Sequence, residues 1–393
     1  MRILIGALVA VSTAACDAGG PLRVYNNPYS EVDWAQDYRL KAQHHDHTGI
    51  RANVLLAYDD AGYDVVSLMD YSGNPELPYA WQSRPWPPDQ LLAPELLARL
   101  RSIKFFLPNA EEVGLRAHLT SPFLTTYIEG VPASSANSEK SGVESYQYAS
   151  LDEAFSLIRS GNGFPCIAHP WRVWYADFAG SFCVEIYTAF APASKHAGVS
   201  WFADRAPDEL VQNWDWALQQ NQEIWGIAVN DHFGPQRRRG DLPPEIVDSG
   251  KIVVLAKKPT LDAYKEAFVN GAFFAVQDRG TIKDRYPQVD SIIVTSQLIS
   301  IETWGTVTWK ANHATVAEGP TLMLSALPSD SHYVRAEIRG IDESVVYTQP
   351  FALRPWGDVD GDYKVTTADV ALCDSEIDDP NLQRLCDEAP YQY

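Results

Sequence analysis

His45 and His47 stand one residue apart, with Asp46 between them, at the end of a strand-like segment. Alternate side chains of an extended chain leave on the same face, so the pair is aimed at one point, and imidazole nitrogens so placed are donors for a divalent transition metal. The pair alone is weak evidence. Its weight comes from recurrence: Asp70 follows the apolar run Val65–Met69, Glu111 and His118 follow another, His169 precedes Pro170 at the end of Phe164–Ala168, and Asp231-His232 closes Ile224–Val229. The chain has nine histidines, and His45, His47, His118, His169 and His232 all fall in this set. Strands that deliver ligands to one rim are how α/β enzymes assemble a site from distant sequence. The chemistry open to such a set is hydrolysis by a metal-activated water.

The elements that must position these residues begin near Tyr38. From there to about residue 284, strand-like and helix-like segments alternate, the pattern of βα units. Leucines at helical spacing run from Gln90 to Ile103. Ser150 and Glu153 form a capping box ahead of a helix bearing Ala154, Phe155, Leu157 and Ile158, which Gly161 and Gly163 stop. A further helix near Pro207 carries Leu210, Trp214 and Leu218, and another runs from Thr260 to Val269, ending at Gly271. Residues 285–355 change to short segments of rough period-two alternation, including Ile292, Val294, Trp309, Tyr333, Arg335, Glu337 and Val345, and predict a small all-β sandwich module. Residues 17–37, rich in Gly, Pro, Asn and Tyr, predict a linker.

Residues 1–16 read as a secretory signal: Arg2, the apolar run Ile3–Val11, and small residues ahead of Cys16. A first cysteine directly after small residues resembles a bacterial lipoprotein cleavage site, which implies a lipid anchor at Cys16 in the cell envelope. Thr13 stands where that pattern has an aliphatic residue, so cleavage without a lipid is the alternative. Four cysteines remain, an even number in an oxidising compartment. Cys373 and Cys386 are near enough in sequence to be bridged; Cys166 and Cys183 are either bonded or buried thiols. The formal net charge of −20 opposes nucleic-acid binding. Membrane contact is expected only through the N-terminal anchor.

Between Gly357 and Cys386, Asp358, Asp360, Asp362 and Asp369 occupy positions 1, 3, 5 and 12 of a calcium loop, with the Lys364 carbonyl at position 7 and Thr366 at position 9. The segment also resembles one half of a dockerin repeat. It departs in having Tyr363 where the turn glycine belongs and one loop instead of two, so a cohesin-type partner is not expected.

The order of the histidine and carboxylate motifs resembles the PHP family, named for polymerase and histidinol phosphatase domains. His45-Asp46-His47-Thr48 is similar to its first motif and Gly62–Asp70 to its second. Pro108-Asn109-Ala110-Glu111 with His118, Ala168-His169-Pro170 and Asp231-His232 are similar to those that follow, and Glu185-Ile186-Tyr187 is similar to the strand after Ala168-His169-Pro170. The 285–355 segment is similar to the tail of stand-alone secreted members grouped with carbaryl-type ester hydrolases. The resemblance implies an α/β fold, a distorted seven-stranded β/α barrel over residues 38–284, followed by the all-β module and the calcium-loop segment at 356–393. It implies two divalent metals, such as Zn, Mn or Fe: one held by His45, His47, Glu111 and Asp231, the other sharing Glu111 with His118 and His169. Tyr71 replaces a ligand of the family's third metal, leaving His232. The contiguous Asp231-His232 replaces an Asp-x-His, so either one residue is deleted or Asn230 has taken over a ligand position. A register one residue different would put Glu112 in place of Glu111.

The resulting expectation is a divalent-metal-dependent hydrolase acting on a small anionic or ester substrate, with His232 or Asp70 moving the leaving-group proton. Phosphoester cleavage leads, because the family mostly acts on phosphates and because Arg237, Arg238 and Arg239 follow the last motif and can neutralise an anion. A carboxylic or carbamate ester is the alternative. A catalytically degenerate, envelope-attached binding protein is the other.

Overall fold

A computed structural model describes residues 21–46, 52–68, 92–109, 111–113, 118–125, 151–170, 178–189, 208–220, 223–231, 248–278, 285–363, 367–373, 383 and 386. The chain is mixed α/β, with many strands and few helices. Its strands are β1 (Leu22–Asn26), β2 (Tyr38–Gln43), β3 (Val65–Leu68), β4 (Phe105–Pro108), β5 (Glu111–Val113), β6 (His118–Thr120), β7 (Cys166–Ala168), β8 (Cys183–Thr188), β9 (Trp225–Val229), β10 (Gly250–Ala256) and β11 (Phe273–Gln277). After these come β12 (Val289–Val294), β13 (Leu298–Thr303), β14 (Thr306–Ala311), β15 (Ala314–Glu318), β16 (Thr321–Met323), β17 (Tyr333–Arg339), β18 (Val345–Thr348) and β19 (Phe351–Pro355). The helices are α1 (Ala52–Asp60), α2 (Pro94–Leu97), α3 (Leu151–Ser160), α4 (Asp208–Gln219), α5 (Leu261–Val269) and α6 (Thr367–Cys373).

The local signals act as physics requires. Thr260 caps α5 by accepting the Ala263 N–H, and Gly271 follows with φ +72°, a conformation glycine takes without steric cost. Gly161 and Gly163 do bracket the end of α3, but the left-handed residue between them is Asn162, at φ 67°. Of the leucine-rich stretch 90–103, the described residues 92–103 hold the single turn α2. Buried Asp59 accepts the N–H groups of Arg101, Ser102 and Ile103 and so holds that segment in a turn.

Two ladders position the site. The larger runs β1-β19-β17-β18-β11-β10-β2-β3-β4, with β14 and β15 attached through β17; the second runs β5-β6-β7-β8-β9. Parallel pairing among the described residues is confined to β2-β3-β4 and β7-β8-β9. The βα alternation is therefore realised as two mixed ladders, and the described residues do not form one hydrogen-bonded ring of seven strands.

The ladders meet where the end of β9 lies against the segment after β2 and the start of β10. The Asp231 N–H donates to the His45 carbonyl at 2.8 Å, and the Gly250 N–H to Asn230 Oδ1 at 2.8 Å. Gly250 is required there: a Cβ would fall 2.0 Å from the Val229 carbonyl oxygen. Gln349 clamps β9 from the other side, accepting the Gly226 N–H and donating to the Gly226 carbonyl.

Two expectations about domain organisation are corrected. The segment 17–37 is not a free linker from Leu22 onward, because β1 pairs antiparallel with β19 and Tyr29 is buried, donating to the Phe273 carbonyl and accepting the Gln349 N–H. The 285–355 segment is not a separate sandwich, because β18 pairs with β11 and continues the large sheet without a break. One apolar cluster accordingly runs from Leu40 and Val254 through Phe273 to Trp309 and Leu353. The three-stranded sheet β12-β13-β16 lies outside this path.

Candidate metal centre

The residues after β2 split in direction. His44 goes into the apolar core beside Phe268, with Nε2 2.5 Å from the Tyr264 hydroxyl, and its carbonyl accepts from Asn109 at 2.7 Å. His45 turns the other way. Its Nδ1 meets Glu185 Oε1 at 2.5 Å, which leaves Nε2 facing Asp231 Oδ1 at 3.4 Å. His169 Nε2 lies 3.7 Å from the second oxygen of the same carboxylate. One ligand atom from each of His45, His169 and Asp231 thus fits within 4.8 Å of the others, and all three residues are buried.

The backbone at two of these residues is strained. His169 has φ 29° and Asp231 φ 47°, left-handed values uncommon for residues with a Cβ. Such conformations cost about 1–3 kcal/mol and persist where the surroundings over-determine them, typically at functional sites. Here the surroundings are the His169 N–H bond to Glu185 Oε2 at 2.6 Å and the Asp231 N–H bond to His45. A second layer lies behind: the Tyr58 hydroxyl donates to Asp46, and Asn230 Nδ2 donates to Tyr58 at 3.1 Å. Burial, reinforced by the Asp46 charge, pushes the Tyr58 pKa well up, so this phenol keeps its proton.

Of the sequence-predicted ligands, the structure brings together His45, His169 and Asp231. Glu111 and His118 are described in their backbones alone: β5 pairs Glu111 with Thr120, and β6 sets His118 opposite Ala168, the neighbour of His169. Glu112, the alternative to Glu111, pairs with Leu119. His47, Asp70, His232, Arg237, Arg238 and Arg239 lie outside the described residues. Asn230 engages Tyr58 and Gly250 with its side chain. Sequence reasoning took Glu185 only as part of a strand. The available signal was an acid between the apolar pairs Cys183-Val184 and Ile186-Tyr187 in a strand all six residues of which are buried.

His44 makes the fold sensitive to acid. Burial lowers its pKa from 6.5 to about 3, so the unfolded chain takes up a proton that the folded chain refuses. The sign follows: its contribution is intact above pH 6.5 and is lost as pH falls through 6.5 toward 3, at up to about 1.4 kcal/mol per pH unit. In metal-free protein, His44→Gln is expected to flatten the loss of stability between pH 7 and pH 5, measured as urea midpoints. An unchanged slope would remove His44 as the cause.

The acidic loop forms a second cluster. Carboxylate oxygens of Asp358, Asp360 and Asp362 fit within 4.8 Å of one another. Asp369, from α6, accepts the N–H groups of Val359 and Asp360, and Asp358 accepts those of Gly361 and Tyr363. Tyr363 adopts φ 64°, the left-handed conformation for which a calcium loop normally has glycine. Burial, with the Asp369 charge adding to it, raises the Asp358 pKa to about 6. Lys364 and Thr366 lie outside the described residues. Cys373 and Cys386 are bonded, and so are Cys166 and Cys183, which sit directly opposite each other on β7 and β8.

The class that fold and site define is a mixed α/β protein with a buried His-His-Asp cluster where two ladders meet. No family model matches the chain, and no curated protein matches it. Among solved structures, the chain is similar to the crystal structure of a two-domain protein from Bacteroides vulgatus containing a predicted PHP-like metal-dependent phosphoesterase. The identity is 16%, with 81% of this chain and 96% of that chain covered and a TM-score of 0.38. A likeness this low leaves function to be judged from the chain's own residues.

Proposed function

We propose that the chain is a divalent-metal-dependent hydrolase, most simply a phosphoesterase, whose two ladders act as the halves of a distorted barrel. The observation that carries this is the convergence of His45, His169 and Asp231 from the ends of β2, β7 and β9 on one buried point. The donor set fits a cation. Two imidazole nitrogens and a carboxylate suit Zn, Mn or Fe, and ligand atoms about 2.0–2.1 Å from a four-coordinate ion stand roughly 3.3 Å apart. The 3.4 and 3.7 Å separations to Asp231 are close to that. His47, Glu111, His118 and His232 are the sequence's candidates to complete one centre and add another.

When bound, the metal supplies Lewis acidity and a water whose pKa is lowered to about 7. The chain's residues prepare the place. Asp231 offers one oxygen to each histidine, so a single carboxylate spaces both rings. Its position is set by the bond of its own N–H to His45. Burial of all three side chains lowers the local dielectric, which strengthens their hold on a cation. Arg237, Arg238 and Arg239, six to eight residues beyond Asp231, support an anionic substrate; His232 and Asp70 are the sequence's candidates for the leaving-group proton.

The test is elemental analysis of the purified chain with turnover of chromogenic phosphomonoesters, phosphodiesters, carboxylic esters and carbamates. Stoichiometric transition metal with turnover of phosphoesters supports the proposal, and preference for esters or carbamates moves the assignment to the alternative. Absence of both metal and turnover would leave the binding-protein reading. The two disulfides support an oxidising compartment, in keeping with the envelope location the N-terminal sequence suggests.

The acidic loop is proposed as a structural calcium site. Calcium is expected to raise the melting temperature of the full chain, and Asp358→Asn to abolish that rise. Calorimetry with and without chelator checks this; an equal shift in both proteins would count against the site.

A further inference from the structure

We propose that Glu185 is the positioning residue of the metal centre: its carboxylate fixes the tautomer of His45 and pins the strained backbone of His169, so that both ligands are set before a cation arrives. This rests on the metal-centre reading above.

Three observations meet at this residue. First, both carboxylate oxygens are engaged, Oε1 with His45 Nδ1 at 2.5 Å and Oε2 with the His169 N–H at 2.6 Å. The peptide nitrogen can only donate. A carboxylate is an acceptor on both oxygens, so the ring proton of a neutral His45 belongs on Nδ1. Nε2 is then the atom with a lone pair, and Nε2 is the atom that faces Asp231 at 3.4 Å. Glutamine could satisfy only one of these two donors, because its amide nitrogen would confront the other. Both donors therefore require the acid.

Second, Glu185 is wholly buried in β8, the strand flanked by β7, which delivers His169, and β9, which delivers Asp231. A carboxylate without partners costs several kcal/mol at such depth, so its pairing with two N–H groups of the centre is where its presence is accounted for. Third, the β8–β9 register shifts directly after Glu185: Glu185 pairs with Ile227, but Tyr187 pairs with Ala228. An irregularity of this kind re-aims side chains and is common beside active sites. The Cys166–Cys183 bond ties the starts of β7 and β8 together, three residues before His169 and two before Glu185.

The experiment uses the full chain, stripped of metal and titrated with cobalt(II) and zinc(II) in competition with a chromophoric chelator. Parent, Glu185→Gln and His169→Ala are compared. Removal of a partner that orients a histidine ligand typically costs ten- to hundredfold in metal affinity. Glu185→Gln is expected to weaken binding to that extent and to change the visible spectrum of bound cobalt, while unfolding cooperatively. Parent-like affinity and spectrum in Glu185→Gln would overturn the role of Glu185 and leave the metal centre standing. Failure of the parent itself to bind either ion would overturn both. Should Glu185→Gln not fold, selective nitrogen-15 labelling of histidines in the metal-free parent decides: His45 protonated at Nδ1 is the expected state, and protonation at Nε2 refutes the proposal.

Discussion

His169→Ala and Asp231→Ala are each expected to lower kcat/KM on a chromogenic phosphoester by more than a hundredfold, equivalent to at least about 2.7 kcal/mol of transition-state stabilisation. Asp231 is the more damaging of the two, because one carboxylate faces both rings, at 3.4 and 3.7 Å. Both variants should still fold. Alanine keeps the Cβ, and with it the left-handed backbone cost at each position, while the N–H bonds to Glu185 and to the His45 carbonyl that hold the two backbones are untouched. Steady-state kinetics with melting curves separate the two effects, and activity within a fewfold of the parent in either variant would end the assignment of the centre.

The largest effect on stability is expected from Arg335→Ala, at about 3–5 kcal/mol. The Arg335 guanidinium is fully buried, donates through Nε and Nη2 to the two oxygens of Asp215 at 2.7 Å each, and donates through Nη1 to Glu337 at 3.0 Å. It also lies over the faces of Trp214 and Tyr347, 5.1 and 6.0 Å from the ring centres. Alanine would leave the buried carboxylate of Asp215, on α4, without its guanidinium and Glu337 with Arg339 as its remaining cation. Arg335→Lys keeps the charge but not the two-pronged geometry and should fall between. Urea unfolding at constant m-value measures the difference; a loss under 1 kcal/mol would show that the carboxylates find solvent.

Arg335 also shows where the sequence stopped being informative. In Tyr333–Arg339 the polar residues alternate with apolar ones, which reads as a strand with one wet face. In the folded chain both faces are covered, and only Arg339 is exposed. The alternation was real, but its polar face meets Asp215 of α4, and no local pattern encodes a partner 120 residues away. Glu185 escaped for the same reason, since its two partners come from other strands.

What could be read were features carried by short stretches. These include the strand ends bearing His45, His169 and Asp231, the buried face of α4 with Leu210, Trp214 and Leu218, and the Thr260 cap. Sheet membership could not be read. The pairing of β18 with β11 and of β1 with β19 depends on register between distant segments, and a composition rich in Gly, Pro and Asn concealed β1.

The pairing of β1 with β19 bears on where this chain can be cut. Leu22–Asn26 occupies the outermost position of the large sheet, and Pro21 accepts a hydrogen bond from the Trp356 N–H just ahead of the acidic loop. A shortened version started at Tyr38, where the histidine-bearing strands begin, would strip that border and bare the amides and carbonyls of Phe351–Pro355 to any other extended chain. The segment Leu22–Asn26 thus acts as a selvedge for β19, pairing its backbone on the side away from β17.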